Sequence, residues 1–308
     1  MTTMTQKFAL RFPQVAMDDL LEGENRHQRH PKIENFIWRL SAKLASLWNE
    51  RHFRKLDADT LCQTRKSERV YIFGSGYSLN ALTEEEWREI ERFDTMSFNW
   101  FAYQKFLRID YHVIRETLAV RAFSARHRVV HSYCKNIAAN PLFDDAVLIS
   151  QEGWTASSGN RAIGSLPKGR RLFRYRNRPK RSYEPPSESF DDGIVHGPGT
   201  LVDCTNIAAL MGWTDIILVG IDLYDRRYFW LADDETNTAD TLTGNKVDDA
   251  HQTSHRIVGY LGDWAAHLKQ KGINLWVYNP RSLLSETVPV WQGVQHDRMK
   301  ASNGDEGT

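Results

Sequence analysis

Short apolar segments alternate with helical patterns along most of this chain. The segments that predict strands are residues 69–73, 95–98, 111–114, 146–150, 216–219 and 273–277. The segments that predict helices are residues 84–90, 119–134, 200–211 and 256–271. Strands that alternate with helices favour parallel pairing, because each crossover helix returns the chain to the same edge of the sheet. The sequence therefore predicts an α/β fold with a doubly wound, mostly parallel, Rossmann-like sheet in a single domain.

The regions outside this alternation divide the rest of the chain. Residues 31–55 repeat apolar side chains at three- and four-residue steps, which predicts a helix with one apolar stripe. We expect the stripe to pack on the main domain, with membrane or partner docking as the alternative. The resulting divisions are an N-terminal helical extension (1–66), a main domain (67–290) and a disordered tail (291–308). Within the main domain, residues 151–192 are predicted to be irregular, and an acidic stretch predicts a mobile lid over about 225–255.

Charge and cysteine content exclude several classes of protein. The 308 residues carry 40 Lys and Arg against 39 Asp and Glu, a balance that argues against general nucleic-acid binding. Three scattered cysteines, Cys62, Cys134 and Cys204, fit reduced thiols better than a disulfide framework or a metal cluster. No apolar run approaches the roughly 20 residues that span a bilayer, and the first residues lack a signal-peptide pattern. We therefore expect a cytoplasmic protein.

A glycine-rich loop follows the first predicted strand of the main domain. Gly74, Ser75 and Gly76 lie between this strand and a helix, where backbone amides can cradle a phosphate. The loop is not a dinucleotide fingerprint, because Leu79 stands where a third glycine is required. Asp94 has the spacing of a ribose-binding acid, but it precedes its strand instead of following it, which argues against a nicotinamide site. A nucleotide or nucleotide-sugar loop and an ordinary tight turn are the two interpretations.

The densest group of reactive side chains follows the strand at 216–219. A Gly-Ile-Asp segment ends this strand with Asp222, and Tyr224 and Tyr228 come soon after it. Ligands bind at such strand ends, so Asp222 is expected to accept hydrogen bonds from a ribose or a base, with a turn-forming role as the alternative. His251 and His255, four residues apart, are predicted to share one helix face. An ordinary imidazole pKa near 6.5 suits a general base; half of a metal site and a solvated pair are the alternatives.

Two further segments have features that suit anions. Residues 196–200, His-Gly-Pro-Gly-Thr, open a predicted helix whose exposed amides favour a carboxylate or a phosphate. A plain N-cap by Thr200 is the alternative there. Residues 168–181 interleave Lys and Arg with aromatics, which indicates contact with an anionic membrane surface, with stacking on nucleic-acid bases or a solvated face as the alternatives.

The order of these motifs resembles the bacterial sialyltransferases of glycosyltransferase family 42, the lipooligosaccharide type. The loop at 74–79 is similar to a Gly-x-Gly-Pro-Ser-Leu motif of that family, and Asn99 matches an Asn that ends its second strand. Residues 199–213 resemble its Thr-Ser-Gly turn and following helix. The segment 220–224 matches its Gly-Ile-Asp-Phe-Tyr, His251 and His255 match its His-x-x-x-His pair, and 279–284 resembles its Cys-Pro-Asn-Ser-Leu-Leu.

The resemblance implies an inverting, metal-independent transferase that moves sialic acid or a related nonulosonic acid. The donor would be a CMP-sugar, with no further cofactor, and the acceptor a glycan or glycolipid hydroxyl. It implies that His255 is the general base and that Tyr224 and Tyr228 stabilise the departing phosphate. The implied substrate-binding residues are Gly74, Ser75, Gly76, Asn99, Thr200, Asp222 and His251.

The chain also differs from that family at several positions, and two other functions are alternatives to a sialyltransferase. Ser75, Tyr77, Ile114 and Gly197 stand where the family has Asn, Pro, Asn and Arg, differences that bear on the sugar more than on the nucleotide. A similar loop and Gly-x-Asp strand occur in the motility accessory factor family, which is linked to protein glycosylation. The second rival is a nucleotide-binding interaction protein without catalysis. Peripheral attachment to the inner membrane and a homo-oligomer are further expectations, and a nucleic-acid partner is not expected.

Overall fold

The computed structural model describes residues 51–115, 123–152, 161–178, 183–224, 228–230 and 247–293, with scattered positions between 36 and 47. The strands are β1 (Arg54–Leu56), β2 (Arg69–Phe73), β3 (Asp94–Phe98), β4 (Tyr111–Ile114), β5 (Val147–Gln151), β6 (Arg171–Tyr175), β7 (Asp215–Val219) and β8 (Asn274–Val277). The α-helices are α1 (Ala58–Gln63), α2 (Glu84–Ile90), α3 (Phe123–Ala139), α4 (Thr200–Met211) and α5 (Val247–Gln270).

The eight strands form one sheet in the order β1-β6-β5-β4-β3-β2-β7-β8, and all neighbouring strands are parallel. From β2 the chain adds β3 to β6 on one side, and it then returns to place β7 and β8 on the other side. In open α/β sheets, ligands bind at the carboxyl ends of the strands that flank such a reversal. The predicted α/β fold with a parallel sheet is confirmed, and its reversal lies between β2 and β7.

Both faces of the sheet are covered. Successive residues of β2 enter opposite layers of the core: Val70 and Ile72 pack in the layer that contains Trp264 of α5. Tyr71 and Phe73 pack in the layer that contains residues of α2 and α3. Side chains of a strand point alternately to the two faces, so burial of both faces explains why the strand sequences are continuous apolar runs.

The ends of two helices follow from local chemistry that the sequence displays. Thr83 caps α2: its hydroxyl accepts a hydrogen bond from the Glu86 amide at 3.2 Å. The Glu86 carboxylate in turn accepts from the Thr83 amide at 2.7 Å, which completes a capping box. Gly272 follows α5 with a φ of +77°, a left-handed conformation that glycine adopts without steric cost.

Three expectations about the fold are wrong. The helix expected over 31–55 cannot reach residue 55, because Arg54–Leu56 forms β1 and pairs with β6. The stretch expected to be irregular contains β6, in which charged residues obscure the strand pattern. The apolar stripe does not pack on the main domain, since Phe36 and Leu44 are 67% and 60% exposed.

The other expected boundaries either differ from those of the structure or fall on residues that the structure does not describe. Helix α5 begins at Val247, inside the segment expected to be a lid, and the remaining lid positions 225–227 and 231–246 lie outside the described residues, as does the tail from 294. The tail does not begin at residue 291 as expected, because Trp291 is buried and its amide donates to the Val277 carbonyl at 2.8 Å. Within the part of the chain that is described, no helix is long and apolar enough to cross a membrane. The three cysteines are free thiols, as expected.

A buried histidine makes the stability of this sheet depend on pH. The Nδ1 atom of His112 on β4 lies 2.8 Å from the Ser97 hydroxyl, and the ring packs edge-on against Phe143 at 5.4 Å. Burial lowers the pKa of His112 to about 3. The unfolded chain binds this proton near the ordinary imidazole pKa, so falling pH favours unfolding between the two values.

We predict that His112→Asn removes this contribution, because an amide can keep the hydrogen bond to Ser97 without titrating. Between about pH 7 and about pH 5.5, the free energy of unfolding of the unchanged protein should fall by about 1 kcal/mol more than that of the variant. Urea unfolding at the two pH values measures the difference. The exposed His131 provides the matched control, His131→Asn, which should behave like the unchanged protein; equal pH dependence in all three proteins would contradict the prediction.

Candidate ligand site at the carboxyl edge of the sheet

The loops after β2 and β7 meet directly at the reversal of the sheet. The amide of Gly74 donates to the Val219 carbonyl, and the amide of Gly76 donates to the Gly220 carbonyl, both at 2.8 Å. A Cβ atom at Gly74 would lie 2.3 Å from the Ile221 side chain and 2.6 Å from the Gly220 carbonyl oxygen. The glycines therefore permit contact between two backbones, and these two amides point at the β7 loop instead of at an open cradle.

Asp222 ties the glycine loop to the end of β8. Its Oδ2 atom accepts from the Ser78 amide at 2.9 Å, and its Oδ1 atom accepts from the Asn279 side-chain amide at 2.9 Å. These partners lie 144 and 57 positions away in sequence, whereas a turn-forming Asp bonds to its own neighbours. The buried carboxylate is thus held by long-range contacts, and each oxygen retains a lone pair for a further donor.

Tyr224 lies beside this carboxylate at the surface. Leu223 has a φ of +62°, which is uncommon for a residue with a side chain. Asn279 also donates to the Tyr224 hydroxyl at 3.3 Å, and the Arg281 guanidinium lies 5.6 Å from the centre of the Tyr224 ring. Because the Tyr224 oxygen accepts this hydrogen bond, its own proton is directed to a different partner.

Tyr228 and the residue after it pair with the glycine loop. Tyr228 forms an isolated antiparallel bridge with Gly76, and the amide of Phe229 donates to the Ser75 carbonyl at 3.1 Å. The Tyr228 ring stacks on Trp230, with centroids 4.5 Å apart and planes inclined by 16°. The structure therefore places Tyr228 against the predicted loop, and Tyr224 near Asp222, with which it shares Asn279.

Asn99 and Thr200, from distant parts of the chain, meet at the same edge. The Asn99 side chain donates to the Thr200 hydroxyl at 3.1 Å and accepts from the Arg115 amide at 3.1 Å. Asn99 has a φ of +45°, a conformation that Asn tolerates better than most residues. Gly199 is the N-cap of α4 and no side chain caps this helix, so the alternative that Thr200 is a plain N-cap is wrong.

A buried charge network that sequence reasoning missed adjoins this pair. Arg115, at the end of β4, donates to Asp203 of α4 at 2.6 Å, and their side chains are 4% and 0% exposed. The Tyr175 hydroxyl also donates to Asp203 at 3.1 Å. Burial raises the pKa of Tyr175 well above its usual value, and the nearby Asp203 carboxylate is the second cause of this rise. The phenol therefore stays protonated and serves as a donor.

His196 completes the network from the turn before α4. Its Nδ1 atom lies 2.9 Å from Asp203, and its Nε2 atom lies 2.6 Å from the Arg115 guanidinium. A guanidinium only donates, so Nε2 accepts from Arg115, whereas Nδ1 faces both Asp203 and the second nitrogen of the same guanidinium. The His196 ring thus lies between the Arg115 and Asp203 side chains. Two sequence signals could have found the network: an Arg directly after a buried strand, and an Asp inside an otherwise apolar helix.

The two predicted histidines lie on α5. This helix has 24 residues and is about 36 Å long, about twice the length of the strands that it covers. His255 is exposed, and it precedes the buried Ile257, whose side chain comes within 3.4 Å of a Cβ built on Gly199. This end of α5 therefore lies beside the start of α4. His251 belongs to the same helix, and its side chain lies outside the described residues.

The basic run 168–181 is largely built into the fold. Part of it forms β6, where Phe173 and Tyr175 are buried. Three of its arginines face acidic side chains: Arg170 lies 2.8 Å from Asp144, Arg176 lies 3.2 Å from Glu152, and Arg178 lies 3.5 Å from Glu184. Pairing with these acids reduces the positive charge that the run offers to an anionic surface.

The position of Asp94 and the grouping of potential metal ligands bear on two functions that the sequence disfavours, a nicotinamide site and a metal site. Asp94 accepts from the Trp213 indole at 2.9 Å and from the Ser67 amide at 3.0 Å, at the amino end of β3. It lies at the opposite edge from the glycine loop, so it has no role in a ribose site there. No group of three or more His, Cys, Asp or Glu side chains in the described ranges could hold a metal ion.

No protein-family model matches this chain, and no curated protein matches it significantly in sequence.

We predict that Gly76→Ala disrupts the junction of the two loops. The added Cβ would lie 2.5 Å from Asp222 Oδ2 and 2.7 Å from the Gly220 carbonyl oxygen, so the free energy of unfolding should fall by about 1–3 kcal/mol. Gly259→Ala on α5 is the matched control, because nothing lies within 4 Å of its Cβ, and a gain of about 0.5–1 kcal/mol is expected. Urea unfolding measures both. Unchanged stability of Gly76→Ala would rule out the close packing.

We also predict strong coupling between Arg115 and Asp203. Arg115→Met or Asp203→Asn alone should each cost about 3–5 kcal/mol of unfolding free energy, since each leaves a buried charge without its partner. The double variant should cost clearly less than the sum of the two. A double-mutant cycle of urea unfolding free energies measures the coupling; additive effects would show that the ion pair does not exist in solution.

Proposed function

We propose that this protein is an inverting glycosyltransferase that moves sialic acid or a related nonulosonic acid from a CMP-sugar to a glycan hydroxyl. The observation that carries the proposal is the meeting of the glycine loop, Asp222 and two tyrosines at the carboxyl edge beside the reversal of the sheet. The proposal also rests on the order of motifs that resembles the family 42 sialyltransferases.

The nucleotide would lie along this edge. Neighbouring strands are about 4.8 Å apart, so Asn99 after β3 and Asp222 after β7 are separated by about two strand spacings. That span is comparable with the length of a nucleoside monophosphate. Asp222 would accept hydrogen bonds from the nucleoside with its remaining lone pairs, while Gly74, Ser75 and Gly76 form the floor of the site.

Tyr224 and Tyr228 would donate hydrogen bonds to the departing phosphate. The Tyr224 oxygen already accepts from Asn279, so its proton can be donated to an anion as the charge on the leaving group grows. Arg281, next to the Tyr224 ring, adds positive potential. CMP leaves with a single phosphate, so the proposed reaction needs no metal to bridge two phosphates.

The sugar acid would face the start of α4. The uncapped amides of this helix and the Thr200 hydroxyl suit a carboxylate. Arg115 brings a guanidinium to His196, next to Gly197, where the family has an Arg in the turn. Asp203 neutralises part of that charge, so the main effect of Arg115 would be to fix the position of the turn.

His255 would take the proton from the acceptor hydroxyl. Its exposed position on α5 suits an acceptor that approaches from solvent, and His251 would contact the substrate one helical turn earlier. The transition state would be oxocarbenium-like, as in glycoside hydrolysis. A lid over about 225–255, whose last residues belong to α5, would exclude water.

We predict that the protein releases CMP from CMP-Neu5Ac when a glycan acceptor is present, and that His255→Ala lowers the rate at least about 100-fold. CMP affinity, measured by calorimetry, should change little, because the imidazole acts on the acceptor. His267→Ala is the matched control, about three turns further along the same helix and away from the edge. It should retain the activity of the unchanged protein.

Other outcomes of this experiment distinguish the rivals. Full activity of His255→Ala would refute the assignment of the base. Binding of CMP without any turnover would favour a nucleotide-binding interaction protein. Tight binding of UDP- or GDP-sugars in a donor screen, with no affinity for CMP-sugars, would refute the proposed donor.

A further inference from the structure

The described residues between 36 and 47 carry an apolar surface that no other described part of the fold covers. Five side chains are between 50% and 67% exposed: Phe36, Ile37, Leu40, Leu44 and Leu47. At 100° per residue these positions fall within an arc of about 100° on a helix, so they form one face, which we call the apolar stripe. The described Ser41 and Ala45, outside this arc, are only partly exposed.

This concentration of exposed apolar side chains is confined to one place. Of the seven large apolar or aromatic side chains that are exposed in the described part of the chain, five belong to the apolar stripe. Contiguous exposed apolar surface of this kind marks an interaction site, whereas scattered exposed side chains do not. We therefore expect another molecule to cover the apolar stripe.

The charge around the stripe identifies that occupant as anionic. Residues 26–55 contain eight Lys and Arg against two Glu, a formal charge of +6, in a chain whose total is +1. Among the described residues, Arg51, Arg54 and Lys55 are exposed immediately after the stripe. A second copy of this chain would bring the same positive segment and repel it, while an anionic lipid surface offers both negative charge and an apolar interior.

We propose that the apolar stripe and its basic neighbours dock this protein on an anionic lipid surface, with the helix lying in the plane of the interface. The apolar side chains would enter the boundary between headgroups and acyl chains, and the basic side chains would contact the phosphates. This site replaces the run at 168–181, three of whose arginines face acidic side chains within the fold. The proposal is independent of the proposed enzymatic activity.

Flotation of the full-length protein with lipid vesicles tests the proposal. The protein should bind vesicles of equimolar phosphatidylcholine and phosphatidylglycerol, and binding to phosphatidylcholine alone should be at least about tenfold weaker. Rising salt concentration should weaken binding to the anionic vesicles, because salt screens the attraction. Failure to bind the anionic vesicles at low salt would overturn the proposal, and so would equal binding to both compositions.

A pair of charged substitutions tests the apolar part. Leu40→Glu/Leu44→Glu should weaken binding to anionic vesicles at least about tenfold, while thermal unfolding stays unchanged because both side chains are exposed. The matched control is Ala266→Glu/Gln270→Glu, which adds the same charges with the same spacing on the exposed face of α5. Equal loss in both variants would mean that charge alone acts, and the stripe would have no role.

Two further variants separate the remaining outcomes. Arg51→Gln/Arg54→Gln/Lys55→Gln should weaken binding and reduce its salt dependence, whereas Arg171→Glu/Arg174→Glu should affect it less than the stripe variant does. If Arg171→Glu/Arg174→Glu weakened binding more than the stripe variant does, the run at 168–181 would be the lipid-binding surface. Sedimentation equilibrium without vesicles provides the last check: a dimer that Leu40→Glu/Leu44→Glu dissociates would assign the stripe to a second copy and overturn the lipid assignment.

Discussion

The close approach of two backbones beside the reversal of strand order is the contact on which the rest of the candidate site depends. β2 and β7 are neighbours whose following segments belong to opposite halves of the sheet, the place where open α/β sheets bind ligands. Gly74 and Gly76 let the first loop lie against Gly220 and Ile221 at distances that a side chain would forbid. That contact sets where Asp222 emerges, and Asp222 in turn fixes Ser78 and Asn279.

Polar groups along this edge are held in place before any ligand arrives. Asp222 is held by two neutral donors, and Asp203 by a guanidinium, an imidazole and a phenol. Burial of polar groups is costly unless each finds a partner. One network therefore holds the end of β7 against the loops after β2 and β8, and the other holds the end of β4 against α4. Preorganised donors and acceptors of this kind are what a transfer reaction requires, since they need not reorganise as charge develops.

The sequence could predict a large part of the fold because its signals are local. The boundaries of β2, the cap of α2 at Thr83 and the stop of α5 at Gly272 follow from short patterns and capping chemistry. β1 and β6 escaped prediction for the opposite reason. β1 has three residues and depends on its neighbour for backbone hydrogen bonds, and β6 interleaves arginines with buried side chains, so neither carries a clear period.

The sequence by itself determined most of the elements that form and which residues could carry chemistry: a glycine loop, an Asp and a Tyr at a strand end, and a histidine pair on a helix. Only the tertiary structure decided which of them meet. Asn99 finds Thr200, and Arg115 finds Asp203, across 101 and 88 positions, because parallel strands bring distant residues to one edge. It also decided that the apolar stripe is exposed, since periodicity shows that a helix has an apolar face but not what covers it.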